Sequence, residues 1–230
     1  MDVGEQINKQ NSELPDASIK FMLVEFQETY SEWQYMREQG IVRLRFLITI
    51  TTFLVTALAL VAQISSQSIK NVGFLGAALV AFLFLLALSW NTYSFQISRI
   101  KATDINTRVL ARIRRYFLDH DHALAAYLTW QIDDGPTEFL DLKHKVLLRT
   151  SSLILALNSA ILAGLSLVLV GTYLQTGNQT SLFLASIFAS AILLVVVYLF
   201  LQRYAARTIS DYKQKPLPSH KAFADQPKEE

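Results

Sequence analysis

The sequence predicts an all-α integral membrane protein with four transmembrane helices, arranged as two hairpins with a cytoplasmic helical block between spans 2 and 3. Three observations predict this fold: long uncharged runs, a polar turn within the longest run, and the placement of Lys and Arg. A helix needs roughly 20 mostly apolar residues to cross a hydrocarbon core about 30 Å thick. Although 17% of the 230 residues are charged, no charge occurs in 46–69, 71–98 or 150–202.

The third uncharged run is long enough for two crossings, and a polar turn divides it. Gly177 and Asn178 stand at its centre, with Gln and Thr residues on both sides. Gly and Asn favour turns, so the chain is expected to reverse there. The four spans are therefore predicted at about 46–66, 72–95, 150–173 and 181–202.

The basic residues predict which ends of the spans face the cytoplasm. Nine Lys or Arg residues lie in 96–149 and six lie from Arg203 onward, whereas the first predicted turn holds only Lys70 and the second holds none. Cytoplasmic flanks retain Lys and Arg. We therefore expect a multi-pass membrane protein with both termini in the cytoplasm. The membrane is expected to be a bacterial inner (plasma) membrane.

These features divide the chain into six predicted segments. The order is a flexible N-terminus (1–15), a cytoplasmic amphipathic helix (16–45), transmembrane hairpin 1 (46–95), a cytoplasmic helical block (96–149), transmembrane hairpin 2 (150–202) and a disordered cytoplasmic tail (203–230).

An apolar stripe runs along the predicted 16–45 helix at spacings of three and four residues, which is typical of one helix face. The opposite face is acidic, which disfavours a helix lying on lipid, because such helices carry Lys and Arg. The stripe is expected to pack on the middle block of the same chain. The alternative is a cytoplasmic protein partner, and Gly40 is expected to loosen the join to span 1. The members of the stripe are Ile19, Met22, Leu23, Phe26, Tyr30, Trp33 and Met36.

Small residues at four-residue spacing predict close helix–helix packing in the spans, because they let two backbones approach. Span 2 carries Gly73, Ala77 and Ala81, and span 3 carries the ladder Ser152, Ala156, Ala160 and Gly164. Together with the apolar stripe they indicate a homo-oligomer. Asn158 is expected to form a hydrogen bond across helices if it is buried. The threonines of span 1 are interpreted as packing positions rather than a polar seam; they are Thr49, Thr51, Thr52 and Thr56.

The middle block is predicted to begin as a continuation of span 2 through Phe117 and to break at 119–122. A short helix over 123–131 is expected next, and a further helix is expected to start at Thr137 and run into span 3. Its basic cluster places Lys101, Arg108, Arg112 and Arg115 on one predicted helix face. Guanidinium groups on one face suit phosphate, and Tyr116 is positioned to stack on a base. The favoured interpretation is that these arginines pair with acidic residues of the 16–45 helix or stay solvated; the alternatives are an anionic lipid and a phosphate-bearing small ligand. The acidic residues are Glu25, Glu28 and Glu32.

The sequence offers little catalytic or metal chemistry. It has no cysteine and no nucleophile-elbow, P-loop or HExxH motif, so we expect no enzyme activity and no cofactor. His120 and His122, two residues apart, are interpreted as part of a helix break rather than a metal site. No ionisable residue lies within a predicted span, which argues against a proton- or sodium-coupled pump. No nucleic-acid partner is expected.

In overall layout the chain resembles small multi-span membrane effector proteins of bacterial nucleotide-linked defence systems. They also place a helix before the first hairpin and a helical cytoplasmic part after it. The resemblance implies an oligomeric effector that answers a cytoplasmic signal by opening a pore or perturbing the bilayer. Two alternatives remain: a membrane anchor or scaffold that recruits a soluble partner, and a small channel or transporter subunit.

Overall fold

Four long α-helices make up the part of the chain that the structure, a computed structural model, describes. That part covers residues 16–64, 72–120, 140, 145–173 and 179–213, and it contains no strand. The helices are α1 (Asp16–Ile64), α2 (Val72–His120), α3 (Val146–Tyr173) and α4 (Gln179–Lys213). All four are long and apolar enough to cross a membrane by length and composition. The residues form two compact units: Met1–Ala57 with Trp90–Ser151, and Leu58–Ser89 with Ser152–Glu230.

Helices α1 and α2 are much longer than a membrane crossing requires. Each has 49 residues, which corresponds to about 74 Å at a rise of 1.5 Å per residue, against a hydrocarbon core of about 30 Å. The predicted continuation of span 2 through Phe117 is confirmed, since α2 runs unbroken to His120. The expectation that Gly40 loosens the chain is wrong, because α1 passes through it without interruption.

The first unit is built on antiparallel packing of α1 against α2. Phe26 lies beside Arg114, and Gly40 lies beside Gln96 and Arg99. Residue numbers rise along α1 as they fall along α2, so the two segments run in opposite directions. The buried and half-buried residues of α1 that share this face with Phe26 and Gly40 recur at three- and four-residue spacing; they include Met22, Phe26, Thr29, Trp33, Met36, Gly40, Leu44 and Leu47.

The predicted apolar stripe of α1 divides between two faces. Phe26 and Trp33 are half-buried on the α2 side, as are Ile19, Met22 and Met36. Leu23 and Tyr30, in contrast, are 50% and 43% exposed. Packing on the same chain, the favoured interpretation, therefore agrees with the contacts of the buried members. The partner is the N-terminal part of the middle block.

The second unit contains the small-residue ladder of α3, which packs against α4 as the spacing predicts. The Gln202 amide nitrogen donates to the Ser152 hydroxyl at 2.7 Å. A Cβ placed on Gly164 would lie 2.6 Å from Ser190 Oγ. Ala156 and Ala160, between these contacts, are buried. A further glycine, Gly171, leaves space that the Leu182 side chain fills. These pairs run antiparallel along the whole interface.

The small residues of α2 do not form the buried face within one chain. Gly73 and Ala77 are exposed, and the buried face is offset from them by one or two positions. Apart from one alanine, it consists of larger apolar side chains, whose burial removes more apolar area from water or lipid than that of glycine or alanine. Its members are Leu75, Ala78, Phe82 and Leu85.

Helix α3 begins at Val146, later than the predicted start at Thr137. Lys145 precedes the helix, and Leu140 forms a single 3₁₀ turn with its side chain buried. A continuous helix from Thr137 through Leu140 into span 3 is therefore wrong. Residues 121–139 and 141–144, including the predicted helix over 123–131, lie outside the described residues.

The α3–α4 interface makes a direct prediction about stability. Ala156→Leu adds three carbons to a fully buried position and is expected to lower the free energy of unfolding by about 1–3 kcal/mol through overpacking. Thermal unfolding in detergent measures the change. Ala189→Leu makes the same substitution at an exposed position of α4 and should change stability by less than about 0.5 kcal/mol. Equal stability of the two variants would contradict the close packing.

Candidate functional site

A buried ion pair occupies the centre of the predicted basic face. Arg108 Nε lies 2.9 Å from Asp104 Oδ2, and the two side chains are 7% and 0% exposed. The distance is that of an ion pair, but the Nε–H does not point at an acceptor closely enough for a hydrogen bond. Asp104 stands four residues before Arg108 on α2, which is the favourable order for such a pair. Arg108 is therefore enclosed and held by its own helix.

The other predicted ligand-binding residues are less buried than Arg108. Arg112 and Arg115 are exposed, while Lys101 and Tyr116 are half-buried. The Tyr116 ring makes an edge-to-face contact with Phe117 at 5.7 Å between centroids. Exposed positions of α2 in this unit recur every seven residues at Asn91, Ser98, Ile105, Arg112 and Asp119, and Trp90 and Arg115 are exposed beside this line. The helix thus presents two neighbouring arginines rather than a row of four basic residues.

The acidic residues of α1 do not neutralise this basic cluster within the described part of the chain. Glu28 and Glu32 are exposed, and neither they nor Glu25 form an ion pair with a described residue. The contact between the two helices is of another kind. The Arg114 guanidinium lies 5.8 Å from the centroid of the Phe26 ring, and burial lowers the pKa of Arg114. The favoured pairing of arginines with the acidic face is therefore not found.

Gly40 marks a close approach of α1 to α2. Its carbonyl oxygen accepts a 2.8 Å hydrogen bond from Gln96 Nε2, which is fully buried. A Cβ on Gly40 would lie 2.7 Å from Arg99 Cδ. The Arg99 guanidinium also donates to the Arg37 carbonyl at 3.5 Å, and burial together with the positive charge of Arg37 lowers the pKa of Arg99. Sequence reasoning missed Gln96, although a glutamine directly after an apolar run is a signal for a buried polar contact.

Asn158 forms the predicted hydrogen bond across helices. Its Nδ2 donates to Ser89 Oγ at 2.8 Å, and both residues are fully buried. Ser89 Oγ in turn donates to the Leu85 carbonyl at 2.7 Å. The Asn158 Oδ1 atom is buried without a hydrogen-bond partner. This bond joins α2 and α3 inside the second unit.

An exposed polar stripe runs along the apolar part of α1. Thr49, Thr52 and Thr56, called here the threonine stripe, alternate at spacings of three and four residues and are all exposed. The same period leads back to Arg45 and forward to Gln63, which are also exposed. Sequence reasoning treated these threonines as packing positions; in the structure only Thr51 is partly buried.

The outer face of α4 differs in chemistry from this stripe. Its exposed large side chains are aromatic or aliphatic along the whole apolar part of the helix. Such a face suits lipid, whereas a line of hydroxyls gains nothing from lipid contact. The exposed apolar residues of α4 include Phe183, Leu184, Ile187, Phe188, Ile192, Val195, Val196, Leu199 and Phe200.

The segment 119–122, which contains two Asp and two His residues, is the part of the sequence considered as a metal site. Among the described residues, no group of three or more His, Cys, Asp or Glu side chains lies close enough to hold a metal ion. Asp119 is exposed near the end of α2, while Asp121 and His122 lie outside the described residues. The described geometry therefore offers its polar chemistry in the Asp104–Arg108 pair, the Gly40 contact and the threonine stripe.

The Asp104–Arg108 pair can be tested by a double-mutant cycle. Asp104→Leu or Arg108→Met alone leaves one buried charge uncompensated and is expected to cost about 3–5 kcal/mol. The double variant should cost clearly less than the sum, because it removes both charges. Unfolding free energies in detergent give the cycle, and Asp119→Leu at an exposed position is the control. Additive effects would show that the two side chains do not depend on each other.

Comparison with known proteins finds no significant relative of this chain. No family model matches the chain, and neither a curated protein nor a solved structure is significantly similar to it. Function must therefore be inferred from the arrangement of this chain's own residues. That arrangement is of four apolar helices, three buried polar contacts and one exposed line of hydroxyls; the contacts are Asp104–Arg108, Gly40–Gln96 and Ser89–Asn158.

Proposed function

We propose that the protein is a non-enzymatic, homo-oligomeric membrane protein whose copies assemble around the threonine stripe and line a polar path across the bilayer. A signal received by the cytoplasmic parts of α1 and α2 increases how often this path opens, and a smaller fraction of open assemblies exists without the signal. The single observation that carries the proposal is the exposure of Thr49, Thr52 and Thr56 on one face of an apolar helix. The proposed orientation places the uncharged spans in the membrane as two hairpins, with both termini in the cytoplasm.

The period of the stripe supports contact between copies. Spacings of three and four residues, averaging 3.5, are those of helices that pack along a shared seam. Threonine is small enough for close approach and can form hydrogen bonds between helices. Each such bond is worth only about 0.6 kcal/mol in a membrane. The hydroxyls therefore determine what the path is lined with rather than how strongly the copies associate.

The same stripe continues toward the N-terminus and supports a ring rather than a tight dimer. Apolar members alternate there with Glu28 and Glu38, and all are exposed. Two copies meeting face to face would bring like charges together, and burying them without partners is costly. A ring around a hydrated axis leaves these charges in water while the apolar members contact neighbouring helices. Those members are Phe21, Val24, Tyr35 and Val42.

The length of α2 disfavours lipid as the signal at the basic cluster. With Trp90 at the membrane interface, Arg112 lies 22 residues further along an unbroken helix, which is about 33 Å. The headgroup region extends only about 5–8 Å beyond the hydrocarbon core on each side. A phosphate-bearing small ligand or a protein therefore remains as the partner for Arg112 and Arg115.

A scaffold is the second candidate, because exposed Phe21 and Tyr35 offer an apolar surface to a soluble partner. Phe26 and Trp33, the anchors first considered, are less suitable since they pack toward α2. A transporter built on Asn158 is disfavoured, because that side chain is enclosed and bonded to Ser89. The two experiments below distinguish the pore from the scaffold.

Flux across reconstituted vesicles tests the path. The wild-type protein is expected to release a small entrapped dye and dissipate an imposed membrane potential. Thr52→Trp should strongly reduce both, because an indole fills the lumen. Val196→Trp, at an exposed apolar position of α4, should leave them unchanged. Absence of any flux with wild-type protein, in vesicles and in cells that overexpress it, would refute the pore and favour the scaffold.

Cross-linking tests whether copies meet along the stripe. Since the chain has no cysteine, single-cysteine variants give an unambiguous background. Oxidation of Thr52→Cys in membranes is expected to yield disulfide-linked dimers, and Val196→Cys should yield none. Equal cross-linking at both positions would indicate random collision, and absence at both would place the threonine stripe against lipid.

A further inference from the structure

We infer that Arg45 makes the proposed path selective for small anions; the inference rests on the proposed function and names the class of solute. Arg45 is exposed and lies four residues before Thr49, on the same helix face as the threonine stripe. It is the last charged residue before the uncharged run that begins at Phe46. In an assembly around the stripe, every copy contributes one guanidinium at the cytoplasmic mouth of the path.

The neighbouring arginines are engaged within the chain, and Arg45 is not. The Arg43 guanidinium lies 3.9 Å from the centroid of the Phe95 ring. Arg37 lies over Trp33 at 5.8 Å and accepts a hydrogen bond from Arg99 through its carbonyl oxygen. Within the described residues, the Arg45 side chain has no ion pair, hydrogen bond or ring contact. Its charge is thus available to a solute that enters the mouth.

No acidic residue on the stripe is close enough to cancel this charge. Toward the membrane, the uncharged run holds no carboxylate as far as Ile69. Toward the cytoplasm, the nearest acidic member is Glu38, seven residues away, or about 10 Å along the helix. That distance exceeds the Debye length of about 8 Å at physiological ionic strength.

Rings of Arg or Lys select anions in pores, as rings of Asp or Glu select cations. A guanidinium keeps its charge throughout the physiological pH range. The hydroxyls of the threonine stripe can then donate hydrogen bonds to an anion that has lost part of its hydration. The positive mouth and the donor-lined interior therefore favour the same solute class, small inorganic anions such as chloride.

Reversal potentials under a KCl gradient across a planar bilayer test this inference. The current through the wild-type protein is expected to reverse close to the chloride equilibrium potential. Arg45→Gln should lose most of this preference, and Arg45→Glu should shift it toward potassium. Arg43→Gln and Arg43→Glu make the same charge changes two residues away, where the side chain stacks on Phe95, and should keep chloride selectivity. Since Arg45 is exposed, all variants should retain the detergent-solubilised mass of the wild type.

The outcomes distinguish a failure of the proposed pore from a failure of its selectivity for anions. A wild-type protein that does not conduct overturns the proposed function and the selectivity with it. A protein that conducts but prefers potassium, or that is equally selective with Arg45→Glu, overturns the inference alone and assigns Arg45 to lipid headgroups. Loss of selectivity in the Arg43 variants as well would indicate a diffuse surface charge instead of a ring at the mouth.

Discussion

The close approach of α1 to α2 at Gly40 is the contact on which the arrangement of the first unit depends. The absent side chain lets Arg99 cross the α1 backbone, and the Gly40 carbonyl fixes the buried Gln96 amide. Because this seam occupies one face of α1, the opposite face of α1 is exposed within the first unit. The threonine stripe and Arg45 lie on that opposite face. Exposure of the polar stripe is therefore a consequence of where the glycine lies.

Much of the fold could be predicted from local sequence, because the signals are local. Uncharged runs determine span positions, and four-residue spacing of small side chains located the α3 ladder at Ala156, Ala160 and Gly164. The start of α3 could not be predicted, since Leu140 and Leu142 continue the helical pattern toward Val146 without a Gly or Pro between them. The continuity of α1 through Gly40 could not be predicted either, because there the sequence does contain a residue that weakens helices. A glycine within a helix usually signals weakness, and only the position of Arg99 on another helix shows why it is tolerated.

The candidate site was harder to predict, because helical spacing alone does not show which face is buried. Lys101, Arg108, Arg112 and Arg115 share a predicted face, yet Arg108 is enclosed while Arg112 and Arg115 are exposed. Asp104 lies four residues before Arg108, just as Arg108 lies four residues before Arg112, and it was overlooked. Within the described residues it is the carboxylate that forms an ion pair with Arg108. The threonines of span 1 were ambiguous for a related reason. Hydroxyls bonded to their own helix and hydroxyls on an outer stripe look identical in sequence.

The unbroken length of α1 gives the segment before the uncharged run mechanical leverage. About 30 residues precede that run within the same helix, so a rigid arm of roughly 45 Å extends from the boundary of the run. A tilt of about 5° at that boundary moves the far end of such an arm by about 4 Å. Conversely, a few ångströms of displacement at Phe21 or Tyr35 become a small rotation at Arg45. If copies form the proposed path, a binding event near the N-terminal end of α1 adjusts the width of the path by geometry, without any helix having to bend or unfold.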